Sequence, residues 1–299
     1  MSKTLLIVQI VFGCAGSAPP PAAPEIETVR IATEEPAQRE IDIRPASKPA
    51  DLARQLQIVW QVVLDSEARG PQIDSFGHLQ QRIFAVLRED EELLSAVLAE
   101  LPPDLAAHTS LNVTAQKQAR GTVRQRSQTV PAWKIASPES VDTLLGFYRE
   151  AEADSGTPWH LLAAVHLIET RMGRLQGVSV AGAQGPMQFM PATWASYGEG
   201  DVTDNRDAII GAGRYLAAMG AATDVDKALW AYNHSQRYVD SVRTWSEQMR
   251  GRPLLYRAYH GWEVYYVTTR GPLWLAPGYA EEAPVPVNEW CETSGVCAD

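Results

Sequence analysis

One carboxylate is set apart by its surroundings. Glu169 lies near the end of Thr157-Pro-Trp-His-Leu-Leu-Ala-Ala-Val-His-Leu-Ile-Glu169-Thr-Arg-Met-Gly173. The spacing predicts a helix. Thr157 suits its N-cap, and Pro158 suits the first helical position, where no backbone N–H is needed. Gly173 can take the left-handed conformation that ends a helix. Leu161, Val165, Ile168 and Met172 recur at helical spacing and should face a core. Glu169 flanks that stripe, where a carboxylate must find a partner or have its pKa raised. A carboxyl kept protonated near neutral pH is a proton donor. For this stretch alone, a solvated Glu at a helix end is the plainer reading.

Two later stretches carry further groups suited to a site. The first is Ser179-Val-Ala-Gly-Ala-Gln-Gly-Pro-Met-Gln-Phe-Met-Pro-Ala-Thr-Trp194. Gly182 and Gly185 permit positive φ or close backbone approach, as a groove-lining turn requires. Gln188 offers both a hydrogen-bond donor and an acceptor. Met190 offers adaptable apolar surface. Met187, Phe189 and Trp194 are expected to pack. The second stretch is Ala231-Tyr232-Asn233, in which a buried Tyr232 would need a partner for its hydroxyl.

An E-[ST] pair at a helix end, then S-x-x-G-A-x-G-x-M-Q-x-M-P, then A-Y-N resembles the catalytic domain of the soluble lytic transglycosylases, a lysozyme-like fold that cleaves peptidoglycan. The resemblance covers roughly residues 138–250. Three ordered motifs are more specific than any one of them. Thr170 stands where Ser is usual, and Pro186 where Leu or Ile is usual. The resemblance implies that Glu169 is the catalytic acid and that Ser179, Gln188, Met190, Tyr232 and Asn233 contact substrate, with Tyr232 holding or tuning Glu169. It implies cleavage of the bond between N-acetylmuramic acid and N-acetylglucosamine to 1,6-anhydromuropeptides, without metal or cofactor.

Two other readings stay open. A muramidase on the same fold would hydrolyse the same bond, with Asp201, Asp204 or Asp207 positioning a water. An inactive glycan-binding envelope lipoprotein is the third, though the intact Glu169, Gln188 and Tyr232 speak against it. The run Glu199–Asp207 fails as a calcium loop, because Arg206 stands where Gly is needed; it is expected to cap the following helix. His160, His166 and His234 have no ligand at metal-binding spacing.

The surrounding chain is expected to be mainly α. Of its 299 residues 45% are hydrophobic and 21% charged, with a net charge of −10. That balance makes nucleic acid an unsuitable partner. Residues 1–13 read as a secretory signal, with Lys3 ahead of a short apolar run. Gly13-Cys14 resembles a bacterial lipoprotein cleavage site, which would make Cys14 a lipidation site and place the protein in the cell envelope, exported and membrane-anchored, as a monomer. Residues 14–50, rich in Ala and Pro, read as a disordered spacer. Residues 51–136 read as a helical subdomain packed on a catalytic domain at 137–280, whose end carries a strand pair with Gly271-Pro272 as its turn. The basic stretch Gln116–Arg126 is expected to be a solvated face, and Tyr238, Val242, Trp245 and Met249 to line the last long helix. The acidic tail, 281–299, is expected to be loosely ordered, with Cys291 and Cys297 able to pair in an oxidising compartment.

Overall fold

A computed structural model describes residues 41–68, 70, 72–121, 126–179 and 181–294. The signal, Cys14, most of the spacer and Cys297 lie outside these. Among the described residues no helix is long and apolar enough to cross a membrane.

The chain opens with α1 (Pro49–Leu64), α2 (Gln72–Glu89), α3 (Glu91–Ala99) and α4 (Pro103–Arg120). Pro49 and Pro103 stand in the first turns of α1 and α4, where a missing N–H costs nothing. Asp90 caps α3 by accepting from Leu93 N at 2.9 Å. The spacer ends sooner than expected: Gln55 accepts from Ala46 N at 2.9 Å and donates to Arg44 O at 3.0 Å, drawing residues 44–46 onto α1. The helical region also stops short of residue 136, in β1 (Thr129–Val130) and β2 (Lys134–Ile135).

Then come α5 (Val141–Ser155), α6 (Trp159–Thr170), β3 (Leu175–Gln176), α7 (Pro191–Tyr197), α8 (Asn205–Ala218), α9 (Val225–Tyr232), α10 (Gln236–Gly251) and α11 (Leu255–His260). The chain closes with β4 (Val264–Thr268), β5 (Gly271–Leu275), β6 (Val285–Pro286) and α12 (Val287–Ser294). Three antiparallel pairs form, β1 with β6, β2 with β3 and β4 with β5. The fold is mainly helical, as the sequence implies. In the β4–β5 hairpin, Thr268 pairs with Gly271, so Thr269 and Arg270 make the turn rather than Gly271-Pro272. The Thr268 hydroxyl fixes that turn, accepting from Arg270 N at 3.1 Å and donating to Gly271 O at 2.8 Å.

One apolar core runs through both helical regions. It joins Leu52, Leu56 and Ile83 to Leu162, Leu216, Val242 and Trp262. The helical subdomain therefore shares its core with the catalytic region. At its centre lies α6, whose Leu161, Leu162, Ala163, Ala164, Val165 and Leu167 are all buried. A second cluster contains Val130, Ile135, Val264, Leu273, Leu275, Val287 and Trp290. The tail expected to be loose thus packs through residue 294. Burying Val287 and Trp290 is worth about 2 kcal/mol apiece, which offsets the entropy of ordering that helix.

Candidate active site

Glu169 is the last residue but one of α6, an otherwise apolar helix. The helix starts one residue later than the sequence suggests, with Pro158 as N-cap. Thr157 does not cap it; its hydroxyl donates to Gly213 O of α8 at 2.8 Å. Glu152 of α5 serves instead, accepting from Trp159 N at 3.2 Å. At the other end the chain turns left-handed over three successive residues, Arg171 (φ 55°), Met172 (φ 60°) and Gly173 (φ 81°). Only Gly adopts that conformation freely, and Arg and Met each give up about 1–2 kcal/mol to do so. Such strain is held where the surroundings over-determine the backbone. Here Met172 is fully buried, and the Thr170 hydroxyl accepts from Gly173 N at 3.1 Å.

Thr170 also donates from its hydroxyl to Pro186 O at 2.6 Å, and is only 1% exposed. This bond ties the end of α6 to the Ser179–Met190 loop. It uses the carbonyl of Pro186, so a proline is tolerated there despite having no N–H. The loop closes on itself: Gln184 and Phe189 exchange backbone bonds of 2.9 and 2.8 Å, and Ser179 Oγ accepts from Ala183 N at 3.0 Å. Gly185, at φ 71°, is required, because a Cβ there would lie 1.8 Å from Val202 O. Gln188 takes φ 51° and donates from its amide to Gly185 O at 2.9 Å. Met190 is 45% exposed, while Met187 and Phe189 are buried as expected.

Burial raises the Glu169 carboxyl to about 7, opposed in part by the Tyr238 hydroxyl. Tyr238 stands on the first turn of α10. Its hydroxyl is buried, has no close partner of good geometry, and acts on the Glu169 carboxylate more than on any other group. The family resemblance implied that Tyr232 holds or tunes Glu169. The structure places Tyr232 within electrostatic reach of Glu169, but its hydroxyl donates to Met187 O at 2.7 Å. Tyr232 therefore supports the loop, and Tyr238 faces the acid. The signal for Tyr238 was present in the sequence: it puts one hydroxyl into the otherwise apolar α10 stripe with Val242, Trp245 and Met249.

Glu169, Tyr238 and Asn233 line a single open cleft of about 1420 Å³. Ser179, Gln188, Met190 and Tyr232 are not among its lining residues; the Tyr232–Met187 and Thr170–Pro186 bonds connect their loop to Glu169. Two other carboxylates line the cleft. Glu89 is paired with Arg88 and Arg120, and Asp90 with the backbone of α3. The Asp201–Asp207 loop does not reach the cleft. Asp204 caps α8 by accepting from Asp207 N at 3.0 Å, and Asp207 accepts from Asp201 N at 3.0 Å.

His234 lines the cleft beside Asn233, and the other two histidines singled out in the sequence are engaged elsewhere. His166 pairs its Nδ1 with the Tyr148 hydroxyl at 2.7 Å and is pushed by burial to about 3. His160 Nδ1 meets Ser246 Oγ at 2.8 Å. Among the described residues no three His, Cys, Asp or Glu side chains are grouped as metal ligands. Cys291 is disulfide-bonded; its expected partner, Cys297, lies outside the described residues.

A buried helix ending on a carboxyl of raised pKa, within a mainly helical fold, matches a lysozyme-like architecture. The family described as the transglycosylase SLT domain matches residues 147–251, and this stretch of the chain is similar to that family. Over 124 residues it is 32% identical to the membrane-bound lytic murein transglycosylase F of Thiobacillus denitrificans. That alignment covers 39% of this chain, which spans about a quarter (26%) of the relative's length. No solved structure matches the chain significantly.

Proposed function

We propose that the protein is a peptidoglycan lytic transglycosylase that cleaves the MurNAc–GlcNAc β-1,4 bond and releases 1,6-anhydromuropeptides. The observation that carries this reading is that, of the three carboxyls lining the cleft, Glu169 is the one held near 7 by burial, with no other carboxylate among the groups acting on it, while Glu89 and Asp90 are engaged by arginines and by the backbone of α3. Glycosidases ordinarily need two carboxylates. A lone one suits attack by a hydroxyl of the substrate itself. Glu169 gives its proton to the bridging oxygen as the C1–O4 bond breaks, releasing the N-acetylglucosamine side as an alcohol. The muramyl 6-hydroxyl then bonds to C1 and passes its proton to Glu169, which regenerates the acid. Tyr238 meets the carboxylate formed between these steps. Muramidase action is the alternative; it is weakened by the engagement of Asp201, Asp204 and Asp207 with backbone outside the cleft. The decisive experiment is mass analysis of products from purified sacculi. Anhydro ends are expected. Reducing muramyl ends would make the protein a hydrolase.

We further propose export and lipid attachment at Cys14, with the Cys291–Cys297 disulfide formed after export. Radiolabelled fatty acid should enter the wild type and not C14S. Equal labelling of both would refute the anchor.

A further inference from the structure

The cleft that holds Glu169 continues along α2 and α4 to the β4–β5 hairpin, and its charge runs against that of the whole chain. The protein carries −10, yet six arginines line this cavity: Arg82, Arg88, Arg120, Arg126, Arg171 and Arg237. Three acids accompany them, one being Glu169 itself. With Glu169 protonated the lining keeps an excess of four positive charges. Several of these arginines have structural partners. Arg88 bonds Glu89 at 2.9 Å and Gln116 at 3.1 Å, Arg120 pairs with Glu89, and Arg237 donates to Gly121 O.

Arg82 and Arg171 differ. Neither forms an ion pair with a carboxylate among the described residues. Asp42 lies within electrostatic reach of Arg82, but it is held by Arg44 through bonds of 2.9 and 2.8 Å. Arg171 is half-buried, two residues beyond Glu169; its Nη1 donates to Leu167 O at 2.5 Å, and the charge it feels most is the like charge of Arg174. A half-buried guanidinium without an anion is costly to keep, and its planar fork matches a carboxylate.

We infer that Arg82 and Arg171, with the arginines around them, form a subsite for the carboxylates of the stem peptide borne by the muramyl sugar. The inference rests on the transglycosylase reading, since the stem branches from the sugar whose bond is cut. A carboxylate on that branch would be carried into the cleft beside Glu169, and the enzyme would select peptide-bearing glycan over bare glycan. Gln116, Arg120 and Arg126, which belong to the basic stretch expected from sequence to be a solvated face, supply part of this wall.

The test compares two substrates, intact sacculi and glycan strands stripped of stem peptides by an amidase. Replacing Arg82 by Gln, or by Glu, in the full chain should lower kcat/KM on peptide-bearing glycan by about tenfold or more, as expected for loss of a charge-assisted bond. On stripped glycan both variants should stay within about twofold of wild type, and R82K should recover much of the loss. An equal fall on both substrates, or none on either, would overturn the inference. A second measurement does not depend on turnover: calorimetric binding of a soluble alanyl-glutamyl-diaminopimelate tripeptide. Wild type and E169Q should bind it, and R82E should not. If neither substrate is cleaved, the transglycosylase reading fails, and loss of tripeptide binding in R82E alone decides the subsite. Equal competition by inorganic phosphate would reduce the cluster to an unselective anion site and refute peptide recognition.

Discussion

The Tyr238 hydroxyl, at the first turn of α10, faces the Glu169 carboxyl at the last turn of α6. Two long helices are thereby coupled at the one acid of raised pKa in the cleft. The interaction stabilises the carboxylate, opposing the burial that favours the acid. The balance places the group near 7, where it can both give and recover a proton.

Tyr238→Phe should therefore push the Glu169 pKa higher, because it removes the group that favours the charged form. The alkaline limb of the pH–rate profile should move up. Tyr232→Phe should leave that limb in place and instead destabilise the fold by about 1–2 kcal/mol, since Met187 O loses its donor. The two profiles, set beside thermal melts, separate the roles. Identical profiles for both variants would contradict the assignment.

Turnover should need protonated Glu169, so activity should decline as pH rises through about 7. Glu169→Gln keeps the shape of the side chain and loses the transferable proton. It should abolish product while leaving the fold intact. Full activity in that variant would remove Glu169 from the mechanism.

The same residue should shape stability. Its pKa rises from 4.5 to about 7 on folding, so the folded chain binds more protons than the unfolded one in that window. The acid form stabilises the fold below pH 4.5, and that contribution is lost as pH climbs to about 7. Roughly 3 kcal/mol is at stake. In urea denaturation, E169Q should match wild type near pH 4 and exceed it by an amount of that order at pH 8.

Thr170→Val should destabilise by about 1–3 kcal/mol, because it leaves Pro186 O and Gly173 N without their partner. Thr170→Ser keeps the hydroxyl and should cost about 1 kcal/mol for the lost methyl. Chemical denaturation of the two variants provides the comparison.

Arg174 is 2% exposed and pairs with Glu263 at 3.4 Å, joining the end of α6 to the hairpin. Glu263 is fastened to α2 as well: its backbone N–H donates to Gln81 at 2.8 Å and its carbonyl accepts from the Gln81 amide at 2.8 Å. Glu263→Gln would leave a buried guanidinium uncompensated and should cost about 3–5 kcal/mol. The loss should appear in the melting temperature, with the pH–rate profile unchanged.

The sequence alone determined what is local. Helical spacing and a terminal glycine placed Glu169 at a helix end. Gly182 and Gly185 announced a tight turn by their types, and the order of the three motifs pointed to the family. These features depend on contacts a few residues apart, so spacing registers them. The tertiary structure decided the rest. Tyr232 and Tyr238 are six residues apart across the break between α9 and α10, and no periodicity carries through such a break; the packing of α10 on α6 chose which hydroxyl meets the acid. The helical region at 51–136 read as a subdomain packed on the catalytic one, and not as part of a shared core, because each stripe reveals that a face is buried and not against what. The tail looked loose because its charge is conspicuous, whereas Val287 and Trp290 gain their burial from β1 and β4, far away in sequence. Arg82 and Arg171 became neighbours of one cleft in the same way, through helices whose meeting no local pattern records.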